Sequence, residues 1–334
     1  MSAATRNGAE ARRRTRTLPD GPGTLGEFGL IARDLAPLAG DGARGLTDDV
    51  ALFAGHAVTT DTIARGVHVL PDDPLDTVAR KAVRVNVSDL VAKGCQPVAM
   101  TLASAWGADA TPGDHAAFAR GLADDLARYG IGLLGGDTTR LPPGSGPVFT
   151  VAMFGRPLGD AVPSRAGADA GDVLFVSGTI GDGGLGLWQL TGRWDAGGHA
   201  DAVTAAYRTP DPPAGAAAAI ARYAKASLDV SDGLLADAGH LAARSGVGVR
   251  IAADALPLSP AGQAYVGGGG ALADLAAAGD DYQALVAVAP DDADAFARGT
   301  GFARIGTCVD GEGVRLIAGD GTDRTPRRTG YRHF

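Results

Sequence analysis

The acidic residues of this 334-residue chain are concentrated where the sequence pattern predicts that strands or helices end. Most of these aspartates stand beside Gly, Ser or Thr, as is typical of tight turns. Carboxylates at strand ends are held by a rigid sheet yet reach solvent, and Mg²⁺ prefers such hard oxygen ligands. A turn or N-cap role would explain any single member, but the series as a whole favours a metal site. The series is Asp48-Asp49, Asp61, Asp89, Asp137, Asp229, Asp232 and Asp280-Asp281.

Two members of the series have a second interpretation. Asp232 follows Ser231 and starts a predicted helix at 232–245, so one of the two is expected to cap that helix. A helix N-terminus is also an anion site, and capping does not exclude function. Asp89 lies inside a predicted helix at 74–93, where a solvated helix face would explain it equally well.

Other patterns that bind or transfer phosphate are missing from the sequence. There is no GxxxxGK[ST] loop and no protein-kinase catalytic loop. No Ser-His-Asp or Cys-His arrangement stands out, and the six histidines lack metal-ligand spacing. Bound phosphates would therefore need metal ions for most of their countercharge.

Charge and composition exclude several classes of protein. A net charge of −8, from 38 acidic and 30 basic residues, argues against non-specific nucleic-acid binding. No apolar run approaches the roughly 18 to 20 residues that cross a bilayer. Cys95 and Cys308 stand far apart, so we expect no disulfide framework or zinc site, and a cytoplasmic location. The Arg-rich segment 1–24 has no hydrophobic stretch typical of a secretory signal, and we expect it to be a disordered leader.

Around these residues the sequence predicts strands and helices in two successive units. Several strands follow one another directly, which favours an α/β architecture of the α+β type over a regular βαβ repeat. A stretch rich in Pro, Gly and small residues at 157–171 separates an N-terminal domain at 25–160 from a C-terminal α/β domain at 161–334. Predicted strands are 57–60, 98–104, 131–134, 148–154, 172–177, 227–230, 247–252, 282–288, 302–307 and 314–317; predicted helices are 30–38, 74–93, 119–129, 183–191, 214–225 and 232–245.

The order of these motifs resembles the bacterial thiamine-monophosphate kinase family over residues 25 to 334. Gly135-Gly136-Asp137-Thr138-Thr139-Arg140 and the ending Gly330-Tyr331-Arg332-His333-Phe334 are the most specific matches. The other matching segments are Glu27 to Ile31, Asp48 to Ala51, Thr60 to Thr62, His68, Asn86 to Leu90, Ser164 to Gly167 and Asp229 to Leu234.

The resemblance implies a two-domain fold like that of aminoimidazole ribonucleotide synthetase, with mixed sheets packed against helices. It also implies an N-terminal domain that binds ATP and metal and forms a homodimer through its strands. The implied activity is transfer of the γ-phosphoryl group of ATP to thiamine phosphate, which gives thiamine diphosphate. Because the acceptor is a phosphate oxygen already ionised near neutral pH, we expect direct transfer without a general base or a phospho-enzyme.

Residue by residue, the resemblance implies three sets of contacts. Asp61, Asp137 and Asp232 are the expected catalytic aspartates. The implied magnesium ligands are Asp49, Thr59, Thr60, Asp61, Asp89, Asp137, Asp229 and Asp232; the ATP contacts are Gly136, Asp137, Arg165 and Ser231; the thiamine phosphate contacts are His68, Asp280 and Tyr331.

The sequence departs from the family pattern at three places. Thr47 stands where a Gly usually precedes the first aspartate pair, Asp280 replaces a Glu, and Arg328 replaces an aromatic residue. These changes keep two alternatives open. One is another ATP-dependent enzyme of the same superfamily, and the other is a non-catalytic protein that binds thiamine phosphates or nucleotides.

Overall fold

The computed structural model describes residues 26–142 and 144–331. The predicted leader at 1–24 and the final residues 332–334 lie outside this part of the chain. Two sheets are formed, each by one continuous stretch of sequence. Among the described residues, none of the helices combines the length and apolar character that crossing a membrane would need.

The first sheet has five strands in the order β1-β2-β5-β3-β4. Only the β3–β4 pair is parallel, and the other pairs are antiparallel. The strands are β1 (Ala51–Phe53), β2 (His56–Ala64), β3 (Cys95–Trp106), β4 (Gly132–Arg140) and β5 (Val148–Pro157).

Two long helices, α2 (Leu75–Ala92) and α3 (Pro112–Tyr129), pack on this sheet. Apolar residues recur along α2 at helical spacing, and Val83, Val87 and Leu90 are fully buried. A capping box at Thr111 begins α3, and Gly130, in the left-handed conformation, ends it. The amphipathic pattern therefore fixes which face of each helix turns to the sheet.

The second sheet has six strands in the order β11-β8-β10-β6-β9-β7. Its strands are β6 (Val173–Val176), β7 (Ala224–Val230), β8 (Gly248–Ala252), β9 (Gln283–Val288), β10 (Ala303–Val309) and β11 (Gly313–Ile317). The remaining helices are α1 (Glu27–Leu30), α4 (Asp182–Leu190), α5 (Ala200–Arg208), α6 (Ala217–Tyr223), α7 (Leu234–Ser245), α8 (Pro260–Gly267), α9 (Leu272–Ala276) and α10 (Pro290–Thr300).

Helix α2 also joins the two sheets, because it contacts β7 and β9 as well as β2 and β5. Arg84 on α2 binds Asp125 on α3 at 2.6 Å and donates to the carbonyls of Thr209 and Pro210 after α5. A buried arginine with several acceptors holds the elements that carry them in place, since a buried charge without partners would be costly. Arg84 thus ties α2 and α3 to the segment that follows α5.

The predicted two-sheet α/β fold is confirmed, but several local predictions were wrong. Asp61 lies inside β2 rather than after it, and Gly136-Asp137 lies inside β4. The segment 30–38 is not one helix: a π-helical turn and a 3₁₀ turn follow α1, because Pro37 has no N–H to continue the ladder. Neither Ser231 nor Asp232 caps α7, because this helix begins at Leu234 and its N-cap residue is Gly233, without a side-chain hydrogen bond. Helices α5, α8, α9 and α10 were not predicted.

Candidate metal centre

Three carboxylates from distant parts of the chain meet between the sheets. Oxygens of Asp49, Asp89 and Asp229 all lie within 4.8 Å of one another. Asp49 precedes β1, Asp89 is on α2, and Asp229 is near the end of β7. Hydroxyl groups orient two of them: Thr59 Oγ1 donates to Asp89 Oδ2 at 2.5 Å, and Ser88 Oγ donates to Asp229 Oδ2 at 2.8 Å.

Asp61 is the fourth member of this group, which we call the carboxylate cluster (Asp49, Asp61, Asp89 and Asp229). Side chains alternate along a strand, so Asp61 shares the face of β2 on which Thr59 lies. Besides burial, the charge of Asp61 is among the causes that raise the pKa of Asp89, because the two carboxyl groups lie close enough to repel each other.

Electrostatics show that the cluster lacks positive charge on one side. Burial, together with the charge of Asp49, raises the pKa of Asp61 to about 6. Burial and the charges of Asp49 and Asp61 raise the pKa of Asp229 to about 7. Burial and the same neighbours raise the pKa of Asp89 well above its usual value. Among the described residues, no lysine, arginine or histidine forms an ion pair with Asp61, Asp89 or Asp229.

The other side of the group is neutralised by the protein. Lys93 Nζ lies 2.7 Å from Asp48 Oδ1 and 2.8 Å from Asp49 Oδ2. Arg165 Nε donates to Asp49 Oδ1 at 2.6 Å, and Arg44 binds Asp48 Oδ2 at 3.0 Å. Although burial acts to raise it, Lys93 and Arg44 hold the pKa of Asp48 below its usual value.

The residues present fit a magnesium ion. Asp49 Oδ2 is a buried oxygen without a hydrogen bond, because Lys93 approaches it closely but not in hydrogen-bonding geometry. Three neighbouring carboxyls have raised pKa values and would each be stabilised as anions by a divalent cation. An all-oxygen donor set of this kind suits Mg²⁺ rather than a thiolate-preferring metal.

A second group lies at the start of α7, where oxygens and nitrogens of Asp232, Asp237 and His240 come within 4.8 Å of one another. Asp237 Oδ2 accepts hydrogen bonds from the backbone N–H groups of Asp232 and Gly233, at 3.1 and 3.2 Å. Burial and the charge of Asp232 raise the pKa of Asp237, while burial lowers the pKa of His240 to about 4.

Asp237 was missed by the sequence interpretation, although its position one turn into a predicted helix after Ser231-Asp232-Gly233 was a usable signal. It holds the loop that presents Asp232. The carboxylate of Asp232 itself belongs to this second group rather than to the carboxylate cluster.

The structure does not bring Thr60 and Asp137 to the cluster within one chain. The Thr60 hydroxyl lies on the opposite face of β2 from Asp61 and donates to the carbonyl of Val151. Asp137 and Gly136 are exposed on β4, and β5 and β3 lie between β4 and β2. Three strand spacings correspond to about 14 Å. Gly136 has no room for a side chain, since a Cβ would overlap the carbonyl of Leu102.

Two of the three expected substrate residues, Asp280 and Tyr331, are bonded to the loop at Ser231-Asp232. The N–H of Asp280 donates to the carbonyl of Ser231, and the N–H of Tyr331 donates to the carbonyl of Asp232, both at 2.9 Å. The fully buried Lys81 links Asp280 to the third, His68, because its Nζ lies 2.7 Å from Asp280 Oδ1 and 3.1 Å from the carbonyl oxygen of His68.

The backbone around Asp280 is unusual. Asp280 and Tyr282 both have positive φ, at 69° and 51°, a region that favours glycine. Asp281 between them is buried and accepts hydrogen bonds from the N–H groups of Gly181 and Gly183 at the start of α4. Burial raises the pKa of Asp281 to about 8. Asp281 therefore holds the strained turn that presents Asp280, as its neighbour and not as a ligand.

Comparisons with known proteins agree with this geometry. The family model described as AIR synthase related protein, N-terminal domain, matches residues 47–156, and that of the C-terminal domain matches residues 169–319. Thiamine-monophosphate kinase of Caulobacter vibrioides is 43% identical over 92% of this chain and 90% of its own length. That of Salmonella typhimurium is 37% identical over 92% of this chain and 98% of its own.

Solved structures give the same result. AaThiL complexed with AMPPCP and TMP has a TM-score of 0.82 at 31% identity and covers 93% of this chain and 97% of its own. Thiamine monophosphate kinase from Aquifex aeolicus has a TM-score of 0.78 at 31% identity, with 90% and 98% covered. The hydrogenase maturation protein HypE in complex with ATP, at 18% identity and a TM-score of 0.69 over 91% and 95%, shares the fold alone.

Proposed function

Since this chain belongs to the thiamine-monophosphate kinase family of the AIR synthase-related proteins, we propose that its carboxylate cluster binds magnesium and directs transfer from ATP to thiamine monophosphate. The observation that carries the proposal is the concentration of Asp49, Asp61, Asp89 and Asp229 without sufficient protein cations. The family assignment supports the choice of substrates, and the geometry supports the roles that we propose for the residues.

In this proposal both the carboxylate cluster and the loop at the start of α7 provide magnesium ligands. Asp49, Asp61, Asp89 and Asp229, with Thr59 orienting Asp89, would hold magnesium, which when bound neutralises phosphate charge and stabilises the loose transition state. Asp232 would contribute a further ligand from its own loop, which Asp237 keeps in place.

Arg165, which is paired with Asp49, and Ser231, which precedes Asp232, are our proposed contacts for the phosphates of ATP. His68, Asp280 and Tyr331 are our proposed contacts for thiamine monophosphate. The acceptor oxygen carries its negative charge before transfer, so no side chain has to remove a proton. In this proposal the acidic cluster therefore needs no histidine to act as a general base.

Asp137 has a role in this proposal only if a second copy of the chain supplies it. Strand β1 pairs with His56 to Val58 alone, so no described strand pairs with the outer edge of β2 from Thr59 to Ala64. The outer edge of β4 also lacks a described partner strand, and Leu133 and Leu134 are 48% and 68% exposed there. Unpaired edges of this kind are templates for pairing.

We therefore propose a homodimer in which β4 of one protomer lies along β2 of its partner. Twofold symmetry would make two identical junctions of this kind, and each would place Asp137 and Gly136 of the partner subunit beside Asp61 and Thr60. The two copies would then complete one another's sites. We also propose a cytoplasmic location, which is supported by the two free, buried cysteines Cys95 and Cys308.

The direct test is to incubate the protein with ATP, magnesium and thiamine monophosphate and to measure thiamine diphosphate by mass. Product in the wild type, and its absence with EDTA or with Asp61→Asn, is the expected result. Binding of both ligands without product would instead indicate a non-catalytic binding protein. Hydrolysis of ATP without thiamine diphosphate would indicate another enzyme of the superfamily.

A further inference from the structure

Lys93 is the one lysine that contacts the carboxylate cluster in the described part of the chain, and its side chain is fully buried. Its ammonium lies 2.7 Å from Asp48 Oδ1 and 2.8 Å from Asp49 Oδ2 and donates to the carbonyl of Ser227 on β7. Burying an ammonium costs several kcal/mol unless anions compensate it. The position is thus stable only because the two carboxylates are there.

The backbone delivers Lys93 to this position. The residue follows the last turn of α2, and its N–H bonds to the carbonyls of Asp89 and Leu90. Gly94 then turns the chain with φ +62°, where a Cβ would lie 2.7 Å from backbone atoms of Ala221. Helix end and glycine together fix the side chain between the turn at Asp48-Asp49 and the second sheet.

Lys93 lies on the side of the site where the aspartates have cationic partners. Asp48 and Asp49 are matched by Lys93, Arg165 and Arg44, whereas Asp61, Asp89 and Asp229 have no ion pair among the described residues. A divalent cation that bridged Asp49 Oδ2 would have to share that oxygen with an ammonium already in contact with it. Like charges this close repel by several kcal/mol at the effective dielectric of a protein.

We propose that Lys93 is a built-in cation of the metal centre, which takes a place beside Asp49 that a metal ion would otherwise occupy. It keeps the Asp48-Asp49 side neutral without magnesium and limits how many divalent ions bind there and how tightly. The inference rests on the proposed function, because it assumes that the carboxylate cluster binds magnesium.

The test compares magnesium binding without nucleotide in the wild type, Lys93→Met and Lys225→Met. Methionine keeps the volume and removes the charge. Lys225 is a matched control because it also pairs with two carboxylates, those of Asp169 and Asp172, away from the cluster. By calorimetry, Lys93→Met should bind magnesium at least about tenfold more tightly than the wild type, or bind one further ion, with Lys225→Met unchanged.

Thermal unfolding supplies a second readout that does not need an active enzyme. In EDTA, Lys93→Met should unfold at a lower temperature than the wild type, and magnesium should restore more of its stability. The double variant Asp49→Asn/Lys93→Met removes both charges and should be more stable in EDTA than Lys93→Met alone.

The outcomes separate this inference from the proposed function. If the wild type makes thiamine diphosphate but Lys93→Met binds magnesium as the wild type does, or more weakly, the inference is wrong and the function stands. If both Lys93 variants are equally unstable and magnesium rescues neither, Lys93 is a packing residue and the inference is again wrong. If Lys93→Met binds magnesium more tightly but the wild type makes no thiamine diphosphate, the inference is supported and the proposed function is wrong.

Discussion

Ser88 Oγ donates a hydrogen bond of 2.8 Å to Asp229 Oδ2, and this bond joins the helix packed on the first sheet to an edge strand of the second. Ser88 precedes Asp89 in the sequence, so α2 both orients one member of the carboxylate cluster and supplies another. The cluster therefore exists only while the two halves of the chain are docked. Magnesium binding and docking of the halves are expected to stabilise each other.

Ser88→Ala should lower the free energy of unfolding by about 1–3 kcal/mol, because a buried carboxylate loses its donor. Saturating magnesium should reverse part of this loss, since the ion also binds Asp229. Urea unfolding with and without magnesium measures both effects. Ser259→Ala is the control: it removes the cap of α8, a cost that magnesium should not change. Equal losses in both conditions for Ser88→Ala would contradict the coupling.

The metal-free protein should lose stability as pH rises. Asp61 and Asp229 have folded pKa values of about 6 and about 7, above the unfolded value of 3.8, so the folded state binds more protons. The stability that protonated Asp61 and Asp229 contribute to the folded state is fully present below about pH 4 and is lost as pH rises through 6 and 7. Unfolding temperatures in EDTA should therefore fall across this window. Magnesium favours the ionised carboxylates and should make the unfolding temperature depend less on pH. An unfolding temperature that rises with pH in EDTA would contradict the prediction.

The sequence predicted which aspartates form the cluster better than it predicted the strand and the charged partner around them. Asp49, Asp89 and Asp229 were predicted ligands and do meet, because the order of motifs carries that information. The strand at 57–60 was ended too early, since Asp is unfavourable in strands and burial in a cluster overrides that preference. Lys93 was not predicted as a partner of Asp49, because its contacts come from segments as far as 134 positions away.

Asp137 shows a different limit. The motif containing it predicted a ligand, yet strand order is not encoded in any local pattern, and β4 lies at the far edge of the sheet from β2. The positive φ of Asp280 and Tyr282 was equally invisible, because neither residue is a glycine. These features depend on tertiary contacts that a single sequence does not display.

Direct transfer to the acceptor should invert the configuration at phosphorus. The acceptor oxygen is already an anion, so it can attack the γ-phosphorus of ATP directly and no side chain has to carry the phosphoryl group on the way. A chiral thiophosphate analogue of ATP reports the outcome. Retention of configuration would require two successive transfers and a phospho-enzyme, contrary to the proposal.

Asp61→Asn, Asp137→Asn and Asp232→Asn should each lower kcat by about 100-fold or more, because each removes charge that positions phosphate-bound magnesium. The fold should survive: in EDTA, Asp61→Asn should even raise the unfolding temperature, since it removes a half-buried negative charge close to that of Asp49. Asp323→Asn, which loses only an exposed ion pair with Arg315, is the control and should keep its turnover. Near-normal turnover in all three site variants would contradict the proposal that these residues form a metal centre.

Mixing Asp61→Asn with Asp137→Asn tests whether the two residues act across a dimer. If each site combines Asp61 of one protomer with Asp137 of the partner subunit, a mixed dimer has one site with both substitutions and one site with neither. Random exchange of subunits makes half of the dimers mixed, so two nearly inactive preparations should recover about a quarter of wild-type activity. A double variant that carries both substitutions in one chain, mixed with the wild type, is the matched control: its mixed dimers have one substitution in each site and should add no activity. Failure of the first mixture to recover activity, with subunit exchange verified by mass, would place Asp61 and Asp137 in one chain's site or remove Asp137 from the site.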